Sequence, residues 1–157
     1  MKAKVYLETS VISYLTARAS RDVVASACQK MTQDWWEKRR VKFQLYISEL
    51  VINEIERGNA TAAKRRMDCV VDMTRLEITA EIQDLAQQFV RKNSLPAKAS
   101  ADALHIAIAT VHGMDYLLTW NCTHIANAEI MPVIASICAV AGFKSPLICT
   151  PQELMGE

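Results

Sequence analysis

The sequence predicts an α/β fold on a parallel sheet of about five strands, and three observations carry that expectation. Five short runs of β-forming residues are separated by segments with helical spacing. Parallel neighbours need crossover connections, and helices supply them while covering both faces of the sheet. The 157 residues, 51% hydrophobic and 22% charged, suit a single domain, 1–157, around one sizeable core.

"AKVYLE" (3–8) reads as the first strand, and Thr9 or Ser10 is placed to cap a helix through "VISYLTA". A second helix runs from about 21 to 38, where Val24, Ala27, Cys28, Met31 and Trp35 recur at helical spacing. "FQLYIS" (43–48) is the next strand and leads into "ELVINEIERG", a short helix closed by Gly58. Residues 60–73 are helical, "RLEIT" (75–79) is a short strand, and "AEIQDLAQQFVRKN" (80–93) is a helix capped by Thr79. After Pro96 an apolar helix (98–113) closes on Gly113, followed by the strand "DYLLTW" (115–120). Residues 122–141 are expected to be helical with a break near Pro132, and "PLICT" (146–150) is the last strand.

Composition narrows the function. No apolar run approaches the roughly 20 residues that span a bilayer, and the acid at position 8 interrupts what would be a signal peptide, so the expectation is a cytoplasmic protein with no membrane role. Five cysteines, none closer than eleven positions to another, fit neither a disulfide framework nor a CxxC zinc site. Cys122 and His124 begin a zinc-like pattern that no second pair completes. The net charge is +1, yet residues 1–90 hold 14 of the 18 Lys and Arg. Two basic clusters stand out: Lys38, Arg39, Arg40 and Lys42 beside Trp35 and Trp36, and Lys64, Arg65 and Arg66. Such clusters grip a nucleic-acid backbone, or they are the solvated ends of helices near a C-terminal dipole. Arg39, Arg40, Lys64 and Arg66 are the candidates for nucleic-acid contact.

The first strand ends on Glu8, where glycine is the usual way to let a phosphate approach the next helix. In open parallel sheets ligands bind outside the carboxyl ends of the strands, where the winding reverses. That rule gathers Glu8 after strand one, Glu54 one turn into the helix after strand two, and Thr119 and Asn121 after strand four. Asp102 joins from the first turn of the apolar helix, with Ile106 and Ala109 on its face. Each acid taken singly reads as structural. Brought to one end of a sheet they repel one another unless protonated or neutralised. A hard divalent cation, Mg2+ or Mn2+, takes oxygen ligands and links carboxylates to a phosphate.

The order "YLETSVIS", "SELVINEIERG", "ADALHIAIATVHGMDYLLTWNCTHIAN" resembles the PIN-domain nuclease family, which includes the VapC-type toxins of toxin–antitoxin pairs. The resemblance covers nearly the whole chain. It implies a three-layer α/β/α sandwich and a metal-dependent endoribonuclease that hydrolyses RNA phosphodiester bonds. Glu8, Thr9 and Ser10 occupy the family's strand-end motif, Glu54 its second acid, Asp102 its third, and Asn121, after Thr119, its fourth. On that basis Glu8, Glu54, Asp102 and Asn121 are the catalytic and metal-holding residues, with Thr9, Thr119 and His105 in support. The first position is usually Asp, so Glu8 pushes its carboxylate further into the site. The fourth is often Asp, so Asn121 offers a carbonyl oxygen without charge, which weakens a second metal more than the first. The resemblance further implies an RNA substrate, an antitoxin partner and a homodimer, for which "VISYLTA" and "RDVVASACQKM" supply apolar surface.

Other classes fit less well. A receiver domain needs an adjacent acid pair after strand one, and Glu8 stands alone. A dinucleotide-binding domain needs a glycine-rich first turn, and "ETSVIS" has no glycine. The remaining alternative is a catalytically weakened protein of the same fold that binds RNA or another protein.

Overall fold

The structure, a computed structural model, describes residues 1–92 and 95–157. Its elements in chain order are β1 (Ala3–Leu7), α1 (Thr9–Thr16), α2 (Val23–Lys38), β2 (Phe43–Ser48), α3 (Glu49–Ile55) and α4 (Ala60–Val70). There follow β3 (Thr74–Leu76), α5 (Ala80–Arg91), α6 (Ser100–Val111), β4 (Tyr116–Leu118), α7 (Met131–Val140) and β5 (Leu147–Cys149).

The five strands form one sheet in the order β3-β2-β1-β4-β5, and every pairing is parallel. The chain winds outward from β1 through β2 to β3, returns to the other side of β1, and continues through β4 to β5. With right-handed crossovers this reversal puts α1–α4 on one face and α5–α7 on the other. The contacts agree, since α1 packs on α2 and α4 while α5 packs on α6 and α7. The fold is the expected α/β/α sandwich, with its winding reversal between β1 and β4.

The core lies on both faces of β1, whose Val5, Tyr6 and Leu7 are fully buried. α6 is buried almost all round: Ala103, Ile106, Ala107, Ile108 and Ala109 are each at or below 1% exposed. Burying an aliphatic side chain of the size of Ile contributes about 1.5–3 kcal/mol, so this helix anchors its layer. It ends where Gly113, at φ +69°, turns the chain back. The Gly113 and Met114 amides donate to the carbonyls of Thr110 and Ala109, closing a Schellman motif and aiming the chain into β4. Among the described residues no helix is long and apolar enough to cross a membrane.

The structure corrects three local expectations. Neither Thr9 nor Ser10 caps α1; the N-cap position is Glu8, with no side-chain cap, because both hydroxyls turn to carboxylates instead. Residues 122–130 are turns, and Pro132 sits in the first turn of α7, where its missing N–H costs nothing, so it starts that helix and does not break a longer one. The strand expected at 75–79 is only Thr74–Leu76, since Thr79 already caps α5 by accepting the Ile82 amide. Of the helix expected at 80–93, the described part ends at Arg91, and Asn93 lies outside the described residues.

Candidate active site

The site is built at the carboxyl edge of the sheet around the reversal point. The Glu8 amide donates to the Leu118 carbonyl at 3.0 Å, adding one rung to the β1–β4 ladder beyond the strand itself. This rung fixes the Glu8 backbone beside Thr119. Glu8 Oε1 then accepts the Thr119 hydroxyl at 2.6 Å and the Ser10 hydroxyl. Those hydroxyls are held in turn by backbone: Ser10 Oγ accepts the Trp120 amide at 2.8 Å, and Thr119 Oγ1 the Asn121 amide at 2.9 Å. Glu8 is only 6% exposed.

Glu54 arrives from α3, whose N-terminus is capped by Ser48 accepting the Val51 amide. Its Oε1 accepts the Thr9 hydroxyl and the His105 Nε2 proton, both at 2.6 Å. His105, on α6, reaches it from the opposite face of the sheet. The other ring nitrogen, Nδ1, lies 2.7 Å from the Tyr6 hydroxyl, which lies 2.8 Å from Ser48 Oγ. Tyr6, Ser48 and His105 are each at or below 1% exposed. One assignment gives every proton in this chain an acceptor: Ser48 donates to Tyr6, Tyr6 to Nδ1, and Nε2–H to Glu54. Burial, reinforced by the Glu8 and Glu54 charges against the opposing Ser48 bond, pushes the Tyr6 phenol well above its ordinary value, so it remains a donor. At Glu54 burial works to raise the carboxyl, but the His105 hydrogen bond, the Thr9 bond and the Arg57 charge outweigh it. The net shift is downward and the carboxylate stays ionised.

Ligand atoms of Glu8, Glu54 and His105 lie within 4.8 Å of one another. Each carboxylate uses Oε1 on protein donors and leaves Oε2 without a protein partner among the described residues. The donor set fits a divalent cation: two ionisable oxygen ligands close together, each already oriented by a buried or half-buried partner. Asp102 lies outside this tight group. It sits one turn before His105 on α6, 23% exposed, and its Oδ2 pairs with His124 Nδ1 at 3.1 Å. Asn121 turns Oδ1 to the amides of Thr123 and His124, at 3.3 and 3.1 Å, and so shapes the turn that carries His124 to Asp102. Cys122 is exposed and belongs to no ligand group among the described residues.

Two of the basic candidates stand at the other edge of the sheet. Arg39 and Arg40 precede β2, at the amino edge of the sheet, where their guanidinium groups lie 5.8 Å from the Phe43 ring and 4.8 Å from the Trp36 ring. Arg66 donates to the carbonyls of Ile55 and Arg57, closing the end of α3, and Lys64 pairs with Asp68 on α4. Sequence reasoning missed Tyr6 and Ser48, which read as ordinary strand residues, and the pairing of His124 with Asp102. Only their position near strand ends hinted at them.

A family model described as the PIN domain matches residues 5–121, more than half the chain. The chain is a PIN-domain protein. Solved structures agree on the fold. VapC20 of Mycobacterium tuberculosis, described as a sarcin-ricin loop cleaving toxin, aligns with a TM-score of 0.60 at 14% identity, over 88% of this chain and 95% of that one. VapBC2 of Rickettsia felis, solved bound to a DNA fragment from its promoter, aligns with a TM-score of 0.60 at 11% identity, over 94% of this chain and 98% of that one. No curated protein gives a significant match. Glu8, Glu54, Asp102 and Asn121 all fall inside the matched span.

Proposed function

We propose that this PIN-domain protein is a divalent-metal-dependent endoribonuclease, a single nuclease domain over residues 1–157 and the toxin of a toxin–antitoxin pair. The observation that supports this most directly is the pair Glu8 and Glu54, each with one oxygen fixed by the protein and the other without a protein partner among the described residues, and with ligand atoms within 4.8 Å of each other. Family membership and the likeness to VapC toxins support it further.

Glu8 and Glu54 would hold Mg2+ or Mn2+, with Asp102 and Asn121 completing the shell from α6 and from the turn after β4. A divalent ion bound there supplies a Lewis acid for the scissile phosphate and lowers the pKa of an attacking water. The protein's part is orientation. Thr119 and Ser10 keep Glu8 from swinging away, Thr9 and His105 do the same for Glu54, and His124 does so for Asp102. Because the carboxylates are pre-set, little reorganisation accompanies charge development on the phosphoryl oxygens. No side-chain nucleophile is required.

An antitoxin and a second copy of the chain belong to the same reading. Val23 and Val24 at the start of α2 are 82% and 71% exposed, which suits a surface that meets another chain. A second reading, a weakened enzyme that serves as a binding module, is favoured by Asn121, whose oxygen is already engaged by two amides and brings no charge.

The test is cleavage of single-stranded and structured RNAs with Mg2+, Mn2+ or EDTA, run beside Asp102→Asn purified in the same way. Cutting that needs the metal and disappears in the variant supports the nuclease. Absence of both cutting and metal binding moves the reading to the binding module.

A further inference from the structure

An open cleft of about 680 Å³ begins at Glu8 and Glu54 and follows α1 past Ser13 and Tyr14 to Arg18. The eight residues of α1 cover about 12 Å of helix axis. At its far end Arg18 also borders a second depression, of about 310 Å³, with Asn59, Thr61 and Arg65. We propose that this continuous groove is the track of a single-stranded RNA, with the scissile phosphate at the carboxylates and a flanking phosphate between Arg18 and Arg65. The inference rests on the nuclease reading and adds to it where the strand lies.

Three features carry it. The first is charge: acids at one end, hydroxyls along the wall, and guanidinium groups at the other end match a polyanion whose reacting phosphate alone needs a cation. Arg18 is exposed and makes no ion pair among the described residues, while nearby Asp22 is occupied with capping α2 through the Ala25 amide. The second is construction. Gln29, only 7% exposed, uses both ends of its amide on the loop that bears Arg18, accepting the Ser20 amide at 3.0 Å and donating to the Arg18 carbonyl at 2.9 Å. Arg65 Nε donates to the Thr16 carbonyl at 3.2 Å, tying α4 to the end of α1. The backbone that bears Arg18 and the Arg65 guanidinium are therefore set in advance, and less ordering opposes binding. The third is Tyr14, half-buried in the groove wall and held edge-on by Trp120 at 6.3 Å, a platform on which a base can stack. An acidic peptide, which carries no base to stack, would gain nothing from that ring.

The experiment measures fluorescence anisotropy of a short labelled single-stranded RNA in the Asp102→Asn background, which keeps the RNA intact. Arg18→Ala is expected to weaken binding about tenfold and to lower the slope of log K against log salt by about one, and Arg18→Glu to weaken it further. Lys144→Ala, at the opposite edge of the sheet, is expected to bind as the parent does. Matched melting temperatures exclude a folding defect, and Arg18 is exposed enough for substitution to leave the fold intact. Unchanged binding by Arg18→Ala, no binding by the parent, a loss that follows Arg39→Ala or Arg40→Ala instead, or capture of an acidic peptide in preference to RNA each overturns the proposal. Metal-dependent hydrolysis of a small aryl phosphodiester by the wild-type protein reports separately on the nuclease reading, so the two fail independently.

Discussion

His105 and Glu54 sit on opposite faces of the sheet and meet at its carboxyl edge, where the imidazole Nε2 and the carboxylate Oε1 are 2.6 Å apart. The contact joins the two helical layers through a site residue. His105 is 1% exposed, so its ring is fixed by packing before the bond forms.

Replacing His105 with alanine removes the donor to Glu54, leaves the Tyr6 hydroxyl without its acceptor and opens a cavity. Stability is expected to fall by about 2–4 kcal/mol, measured by urea denaturation. Cleavage is expected to fall about 10- to 100-fold by the measure of other residues that orient metal ligands. His105→Gln, which can still donate to Glu54, is expected to recover part of the activity without all of the stability.

Tyr6→Phe tests the buried chain from its middle. The change keeps the ring and removes one oxygen, stranding Ser48 and His105 Nδ1 in a dry interior. A loss of about 1–3 kcal/mol is expected, with the larger part appearing as faster unfolding if the chain closes late. Equal stability of wild type and variant would mean the hydroxyl is not a link in this chain.

Glu54 predicts a pH dependence of the metal-free protein. Its carboxyl is held below the ordinary 4.5, so the folded state binds that proton less readily than the unfolded state. The stabilisation is therefore present above 4.5 and is lost as pH falls through the lower folded value. In EDTA, the stability gap between wild type and Glu54→Gln should narrow below that point. A gap that widens in acid would reverse the assignment.

Metal should stabilise the fold by mass action. At a hundredfold excess over its Kd, Mn2+ is expected to add about 2.7 kcal/mol to the wild type, and EDTA to remove it. Glu8→Gln, which retains the acceptor for Thr119 but not the charge, is expected to lose most of that increment.

Asn121→Asp restores a charge while keeping an oxygen for the amides of Thr123 and His124. The turn is expected to persist, since an ionised acceptor strengthens such bonds. Metal affinity is expected to rise several-fold, read by isothermal titration calorimetry. Unchanged affinity would place Asn121 in the turn alone.

Much of the fold was legible because its signals are local. Alternation in "KVYLE", the Thr79 cap and the glycine after α6 each act within a few residues, and each appears where expected. The boundaries failed where a partner in the folded site displaced a local rule. Thr9 and Ser10 have the chemistry of caps, yet carboxylates 45 and two residues away claim them. Residues 122–130 carry apolar spacing, but Asn121 nucleates a turn that draws His124 across to Asp102, a contact spanning 22 residues. The edge occupied by each acid followed from the winding rule. The groups that hold each acid did not, because Tyr6, Ser48 and His105 become neighbours only when β1, β2 and α6 stack.

The Thr119 bond to Glu8 closes over 111 residues of chain, and the rung between Glu8 and Leu118 lies beside it. Contacts of such separation form late, after the loop entropy between them has been overcome. A chain still emerging from the ribosome thus holds Glu8 without Thr119, Trp120 or Asn121 and has no fixed acid at the end of β1. The arrangement of this acid therefore depends on late-made parts of the domain: no piece of the chain that ends before Thr119 carries the hydroxyl and amide bonds that fix Glu8 and Ser10.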